Sequence, residues 1–228
     1  NEFDEAVARG GPADPVNVFR DVLAKTWTDH RVGISLYQQH DPLVLMMSYE
    51  GTDAVNHLFA PYHPPYREGM PQTEYRKYWP TVANYYSEVD RLIGEWMKVL
   101  SDDTTVIIMS AHGFRWGQKR PRTSPVGRSA LSDHRNPGVF IAYGNHVAPN
   151  RGNHSISIYD VVPTVLSLLG LPKSVEMPGK HADWVFRDIA PVTWSPAWRE
   201  LRKTLSDTET PSESIRTWPG AAEVELAP

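Results

Sequence analysis

The sequence predicts an α/β domain, a layered and largely parallel sheet with helices on both faces. Three observations carry this expectation. Short apolar runs occur at 42–48, 104–109 and 138–143, stretches of helical periodicity lie between and after them, and loop-forming residues close each run. A chain of 228 residues is long enough for one large domain or for part of a larger one.

Taken in order, Val16, Val18, Phe19, Val22 and Leu23 recur at helical spacing and predict a short amphipathic helix over 16–27. The polar stretch 28–41 offers little to pack beyond Ile34, Leu36 and Tyr37. Residues 42–48 read as a fully buried strand because both faces are apolar. Residues 60–73, rich in Pro and aromatics, read as an irregular excursion. The longest helical candidate spans 73–100, where Val82, Tyr85, Tyr86, Val89, Leu92, Ile93, Trp96 and Leu100 keep one apolar stripe. The β-branched run 104–109 predicts a second strand, and 138–143 a third. Ile158, Val161, Val162, Val165, Leu166 and Leu169 predict a helix over 157–169, with Gly170 as its C-terminal cap. The domain organisation is then a linker and short helix at 1–41, a metal-binding α/β portion at 42–190, and a Pro- and Trp-rich tail at 191–228. That tail has room for a short helix at 196–205.

Composition narrows the function. A net charge of −4 provides no basic field for nucleic acid. No apolar run reaches the roughly 18 residues that span a bilayer, and residues 1–14 lack the layout of a signal peptide. Localisation is left undecided. The absence of Cys excludes disulfides, thiolate metal sites and a Cys nucleophile. Nine His and eight Trp are the unusual counts, and the His residues fall where chemistry is expected, because ligands in open α/β sheets bind beyond the carboxyl ends of strands.

The run at 42–48 leads to Asp53 and, one helical turn later, His57, a pair that can reach one cation if the segment is helical. The run at 104–109 leads to His112 in a Ser-x-His-Gly turn, and His154 stands before the helix at 157. Carboxylate with imidazole suits zinc, with manganese as the alternative. Each residue also has a structural role open to it. Asp53 and His57 fit a solvated pair, His112 a cap on backbone carbonyls, His154 a polar helix start, and His134 a loop hydrogen bond. The Trp residues fit core and surface cover.

The order of the segments adds to the spacing. Tyr49-Glu-Gly-Thr-Asp-Ala-Val-Asn-His57, Tyr86-Ser-Glu-Val-Asp-Arg-Leu-Ile-Gly94 and Thr104-Thr-Val-Ile-Ile-Met-Ser-Ala-His-Gly-Phe-Arg-Trp-Gly117 follow one another. After them come His134-Arg-Asn-Pro-Gly-Val-Phe140, His154-Ser-Ile-Ser-Ile-Tyr-Asp-Val-Val-Pro-Thr164, Leu169-Gly-Leu-Pro172 and Met177-Pro-Gly179. As an ordered set, from about 42 to 179, they resemble the C-terminal half of the alkaline phosphatase superfamily, in its type I phosphodiesterase/nucleotide pyrophosphatase-like branch.

The resemblance implies a two-metal phosphoester hydrolase, in which two cations clamp the phosphoryl oxygens. It assigns Asp53, His57 and His154 to one zinc and His112 to the second, and leaves His134 and Arg115 as substrate-binding residues. It implies a phosphoester or nucleotide as substrate. Sulfate esters, phosphonates and phosphomutase chemistry use related centres. Two departures stand out. The chain reads Ser110-Ala111-His112-Gly113 where the pattern has an Asp, so the second metal loses one anionic ligand. The segment carrying the nucleophile and an upstream Asp has no counterpart before residue 42, so no nucleophile is assigned. The expectation is a chain inactive by itself, whose sheet is completed by an N-terminal half or a partner chain. The rival expectation is a catalytically silent member acting as a metal-containing binding or structural module.

Overall fold

The computed structural model describes residues 14–122, 130–149, 154–187 and 194–195. The helix expected at 196–205 and most of the tail therefore lie outside the described residues, as do 1–13. The chain divides into two compact units, Asn1–Asn145 and His146–Pro228.

The first unit opens with helix α1, Pro15–His40. Asp14 caps it by accepting a hydrogen bond from the Val16 N–H at 2.8 Å, and Pro15 occupies the first turn, where a missing N–H costs least. Asp41, in the left-handed region at φ 42°, ends it. The helix runs well past the expected end at 27. Its second half buries Thr26, His30 and Gly33 rather than aliphatic side chains, so apolar periodicity gave little sign of it.

Residues 42–48 do not form the expected strand. They take no regular structure, and Leu43 and Met46 are 83% and 89% exposed. The physical reason is pairing: no strand runs beside 42–48 among the described residues. Met47 turns inward, close enough to Gly33 that a Cβ there would stand 2.6 Å from its terminal methyl.

Helix α2, Gly51–Phe59, follows, then a 3-10 turn, Ala60–Tyr62, and the irregular excursion. The helical stretch expected over 73–100 is divided in two, α3 at Gln72–Tyr78 and α4 at Thr81–Val99, because Pro80 stands at the break. Val55 and Phe59 of α2 form the core with Val82 and Tyr85 of α4, and Phe19, Val22 and Leu23 of α1 pack against it. Phe19 meets Phe59 edge-on with ring centroids 5.4 Å apart. This three-helix core fixes α2, the helix that carries Asp53 and His57.

Strand β1, Val106–Met109, pairs with β4, Phe140–Tyr143. The pairing is antiparallel, Val106 opposite Tyr143 and Met109 opposite Phe140, and not parallel as expected. Parallel neighbours need a crossover, usually helical. Among the described residues between β1 and β4 there are only 3-10 turns and a short hairpin of β2, Gly113–Phe114, with β3, His134–Arg135. Beyond Met109 the chains stay joined: the Ser110 N–H donates to the Val139 carbonyl, and the Val139 N–H donates to Ser110 Oγ, both at 3.0 Å. Gly138 makes this approach feasible, since a Cβ there would stand 2.1 Å from the Ser110 carbonyl oxygen.

The second unit holds α5, Ile158–Leu168, and the short strands β5, Lys173–Ser174, and β6, Trp194–Ser195, which pair in parallel. Ser157 and Asp160 form a reciprocal capping box at the start of α5, and Gly170 (φ 66°) follows its end. The predicted apolar stripe packs in part, with Val161, Val165, Leu166 and Leu169 half-buried. Ile158 and Val162 are exposed, while Pro163, Thr164 and Ser167 are buried. Thr164 Oγ1 accepts the Ala182 N–H at 2.9 Å, so a polar contact ties the helix to the chain that follows. The described residues are thus a mixed helix-and-strand fold in which the sheets are small, and a layered parallel sheet is not among them. No helix among them is long and apolar enough to cross a membrane.

Candidate metal centre

Asp53 and His57 stand at positions i and i+4 of α2 and therefore share a face. The Asp53 Oδ2 lies 3.5 Å from the His57 Nε2. The β2–β3 hairpin closes over this face, placing His134 opposite Phe114 in the ladder. His134 Nε2 comes to 2.9 Å from His57 Nε2 and to 3.3 Å from Asp53 Oδ1. Asp53, His57 and His134 thus bring three donor atoms together.

His112 lies at the rim of the same cluster. Its ring stacks on that of His134, with centroids 3.6 Å apart and planes 14° from parallel, and its Nε2 is 3.7 Å from Asp53 Oδ1. Phe114 is the apolar floor, with its ring 5.0 Å from that of His57 and 5.2 Å from that of His134. His154 belongs to the second unit, where its ring stacks on Trp184 at 4.4 Å. Arg115 is exposed, and its Nε donates to the His134 carbonyl at 3.3 Å.

The protonation pattern follows from the partners. A carboxylate and a carbonyl can only accept hydrogen bonds. His57 Nδ1, 3.2 Å from Asp133 Oδ2, is therefore the N–H that donates to it. His112 Nδ1 likewise donates to the Gly113 carbonyl at 3.3 Å. Both rings are left to present Nε2 towards Asp53. Burial first, and then the charge His112 carries when protonated, hold the His134 imidazole below its ordinary pKa, which favours the neutral ring with a free lone pair.

Asp53 Oδ1 is a buried carboxylate oxygen without a hydrogen-bond partner, although His134 and His112 lie within ion-pair range of it. A buried anionic oxygen left without a donor is costly. Four zinc bonds of roughly 2.0–2.1 Å set at tetrahedral angles put neighbouring donor atoms about 3.3 Å apart. The two imidazole Nε2 atoms are 2.9 Å apart, and each lies near a different oxygen of Asp53, His134 at 3.3 Å from Oδ1 and His57 at 3.5 Å from Oδ2, separations close to that spacing. The residues fit a metal cation held by one carboxylate and two imidazoles.

Comparison with protein-family models matches the sulfatase model over residues 7–171. The chain belongs to the sulfatase family. This family is a branch of the alkaline phosphatase superfamily, so the general expectation of metal-dependent hydrolysis of phosphate or sulfate esters stands for the sulfatase domain. Comparison with curated proteins and with solved structures gives no match.

Two features of the centre escape a reading by spacing. His134, assigned above to substrate, is placed among the donors. Asp133, buried behind His57, was not singled out at all. The only local signal was the Asp133-His134 dipeptide itself, an acid and an imidazole adjacent in a chain whose Ser-x-His-Gly motif lacks its acid.

Proposed function

We propose that this sulfatase-family chain supplies the metal-binding part of a zinc-dependent phosphodiesterase, of the phosphodiester or nucleotide-pyrophosphate type, with Asp53, His57 and His134 as donors. The observation that carries the proposal is the unpartnered Asp53 Oδ1 facing the Nε2 atoms of His134 and His112. A bound zinc ion supplies Lewis acidity towards an ester oxygen. The chain's own residues do the rest. Phe114 keeps water from one side of the imidazoles, His112 extends the donor set towards a second cation, and Arg115 offers a guanidinium to the anionic substrate. The resemblance assigns His154 to the same cation as Asp53 and His57.

We assign no nucleophile here, and propose that a further segment or partner chain completes the site and the sheet. The exposed apolar stretch at Leu43 to Met46 supports a partner of that kind. A second proposal is a catalytically silent, metal-containing binding module, favoured by Ala111 where the pattern has an anionic ligand.

The test is zinc content after gentle purification, together with turnover of bis-p-nitrophenyl phosphate and p-nitrophenyl sulfate. Zinc with diester turnover supports the phosphodiesterase, zinc without turnover supports the silent module, and turnover of the sulfate alone overturns the diester assignment. Zinc measured in His134→Ala and His154→Ala side by side identifies which imidazole the cation needs.

A further inference from the structure

Asp133 is 3% exposed. Its Oδ2 accepts the Nδ1–H of His57 at 3.2 Å, and its Oδ1 lies 3.4 Å from Ser132 Oγ. Its carbonyl is held by the Arg115 N–H at 2.9 Å, and its neighbour His134 is paired into the hairpin opposite Phe114. One short piece of backbone therefore presents His134 Nε2 to the front of the donor cluster and the Asp133 carboxylate to the back of His57. A buried carboxylate with an N–H donor on that side has no need of a cation of its own, so its place behind the ring calls for another explanation.

We propose that Asp133 is a positioning residue of the metal centre, forming a carboxylate–histidine–metal relay with His57. This inference rests on the metal-centre reading given above. The Asp133 hydrogen bond fixes the His57 tautomer and rotation so that Nε2 faces Asp53, and it raises the donor strength of that nitrogen.

The experiment compares zinc affinity, by competition with a chromophoric chelator, in the unmodified protein, Asp133→Asn, Asp133→Ala and His57→Ala. Long-range ¹H–¹⁵N NMR of the metal-free unmodified protein reports the His57 tautomer and needs no variant to fold. The expected results are a His57 ring protonated at Nδ1 and an affinity loss of about 10–100-fold in Asp133→Ala. Asp133→Asn, which keeps an acceptor oxygen but not the charge, should recover part of it. A His57 ring protonated at Nε2, or unmodified affinity in Asp133→Ala while His57→Ala loses zinc, overturns the positioning role alone. Zinc binding that His57→Ala leaves untouched overturns the metal-centre reading and this inference with it.

Discussion

At position 111 an alanine stands two residues beyond the end of β1 and next to a histidine that points its Nε2 at Asp53 Oδ1. Restoring a carboxylate there adds an anionic donor beside His112, which already stacks on His134. Ala111→Asp is expected to raise the zinc bound per chain and, where the segment carrying the nucleophile is present, to raise diester hydrolysis by orders of magnitude. Metal analysis and a bis-p-nitrophenyl phosphate assay check the two parts separately. His134→Ala is expected to lower zinc affinity by at least the roughly 10–100-fold that loss of an outer-sphere partner costs, because it removes a donor atom itself. Chelator competition gives that number, and an unchanged affinity would return His134 to the substrate role first assigned to it.

Among the elements, α1 and α4 are joined by a polar chain as much as by their apolar core. His30, 2% exposed, sits between Tyr49 and Glu95, its Nδ1 2.8 Å from the Tyr49 hydroxyl and its Nε2 2.9 Å from Glu95 Oε2. The Trp96 indole N–H donates to the same Tyr49 hydroxyl at 2.8 Å. Glu95 also meets Arg91, which holds Glu88. The hydrogen bond from His30, and after it Arg91, keeps the Glu95 carboxyl below the ordinary glutamate range, and Arg91 does the same for Glu88. A carboxyl whose folded pKa is depressed stabilises the fold in full above its unfolded pKa and loses that contribution as pH falls through the folded value. The urea midpoint should therefore fall as pH drops below about 4, and Glu95→Gln should flatten that acid limb while lowering the midpoint near neutrality. An acid limb as steep in Glu95→Gln as in the unmodified protein would remove Glu95 from the account. These same helices show what the sequence could and could not reveal. The stripe of α4 was legible because Val82, Tyr85, Leu92 and Trp96 are large and apolar. The second half of α1 was not, because its buried positions are Thr26, His30 and Gly33. Asp53 and His57 were legible as neighbours one turn apart, whereas Asp133 meets His57 across 76 residues, a separation no spacing rule covers.

For the molecule as a whole, metal and surface are the two levers. A ligand that binds only the folded state stabilises it by mass action, by about 2.7 kcal/mol at a hundredfold excess over its Kd. Added zinc should accordingly raise the melting temperature, and a chelator should lower it. Equal melting temperatures with and without zinc, in a protein that binds it, would mean that the cluster is as well formed in the unfolded chain. The stretch at 43–46 is the other lever, with Leu43 and Met46 almost fully in solvent. Exposed apolar segments of this kind associate. The double variant Leu43→Lys, Met46→Lys is expected to shift sedimentation towards the monomer at high protein concentration. No shift would separate that stretch from any role in association.

Gly138 is not among the donor residues, and the first atom a Cβ there would meet is the Ser110 carbonyl oxygen. Ser110 is nevertheless two residues from His112, and on the far side Gly138 is four residues from His134. In a saturation screen scored on zinc binding, every side chain introduced at 138 should read as a loss, serine and alanine included. A position with no chemistry of its own would then carry the same intolerance as the ligands. Sequence tolerance around this centre would trace the backbone seam that joins His112 to His134 as clearly as it traces the side chains that reach for the metal.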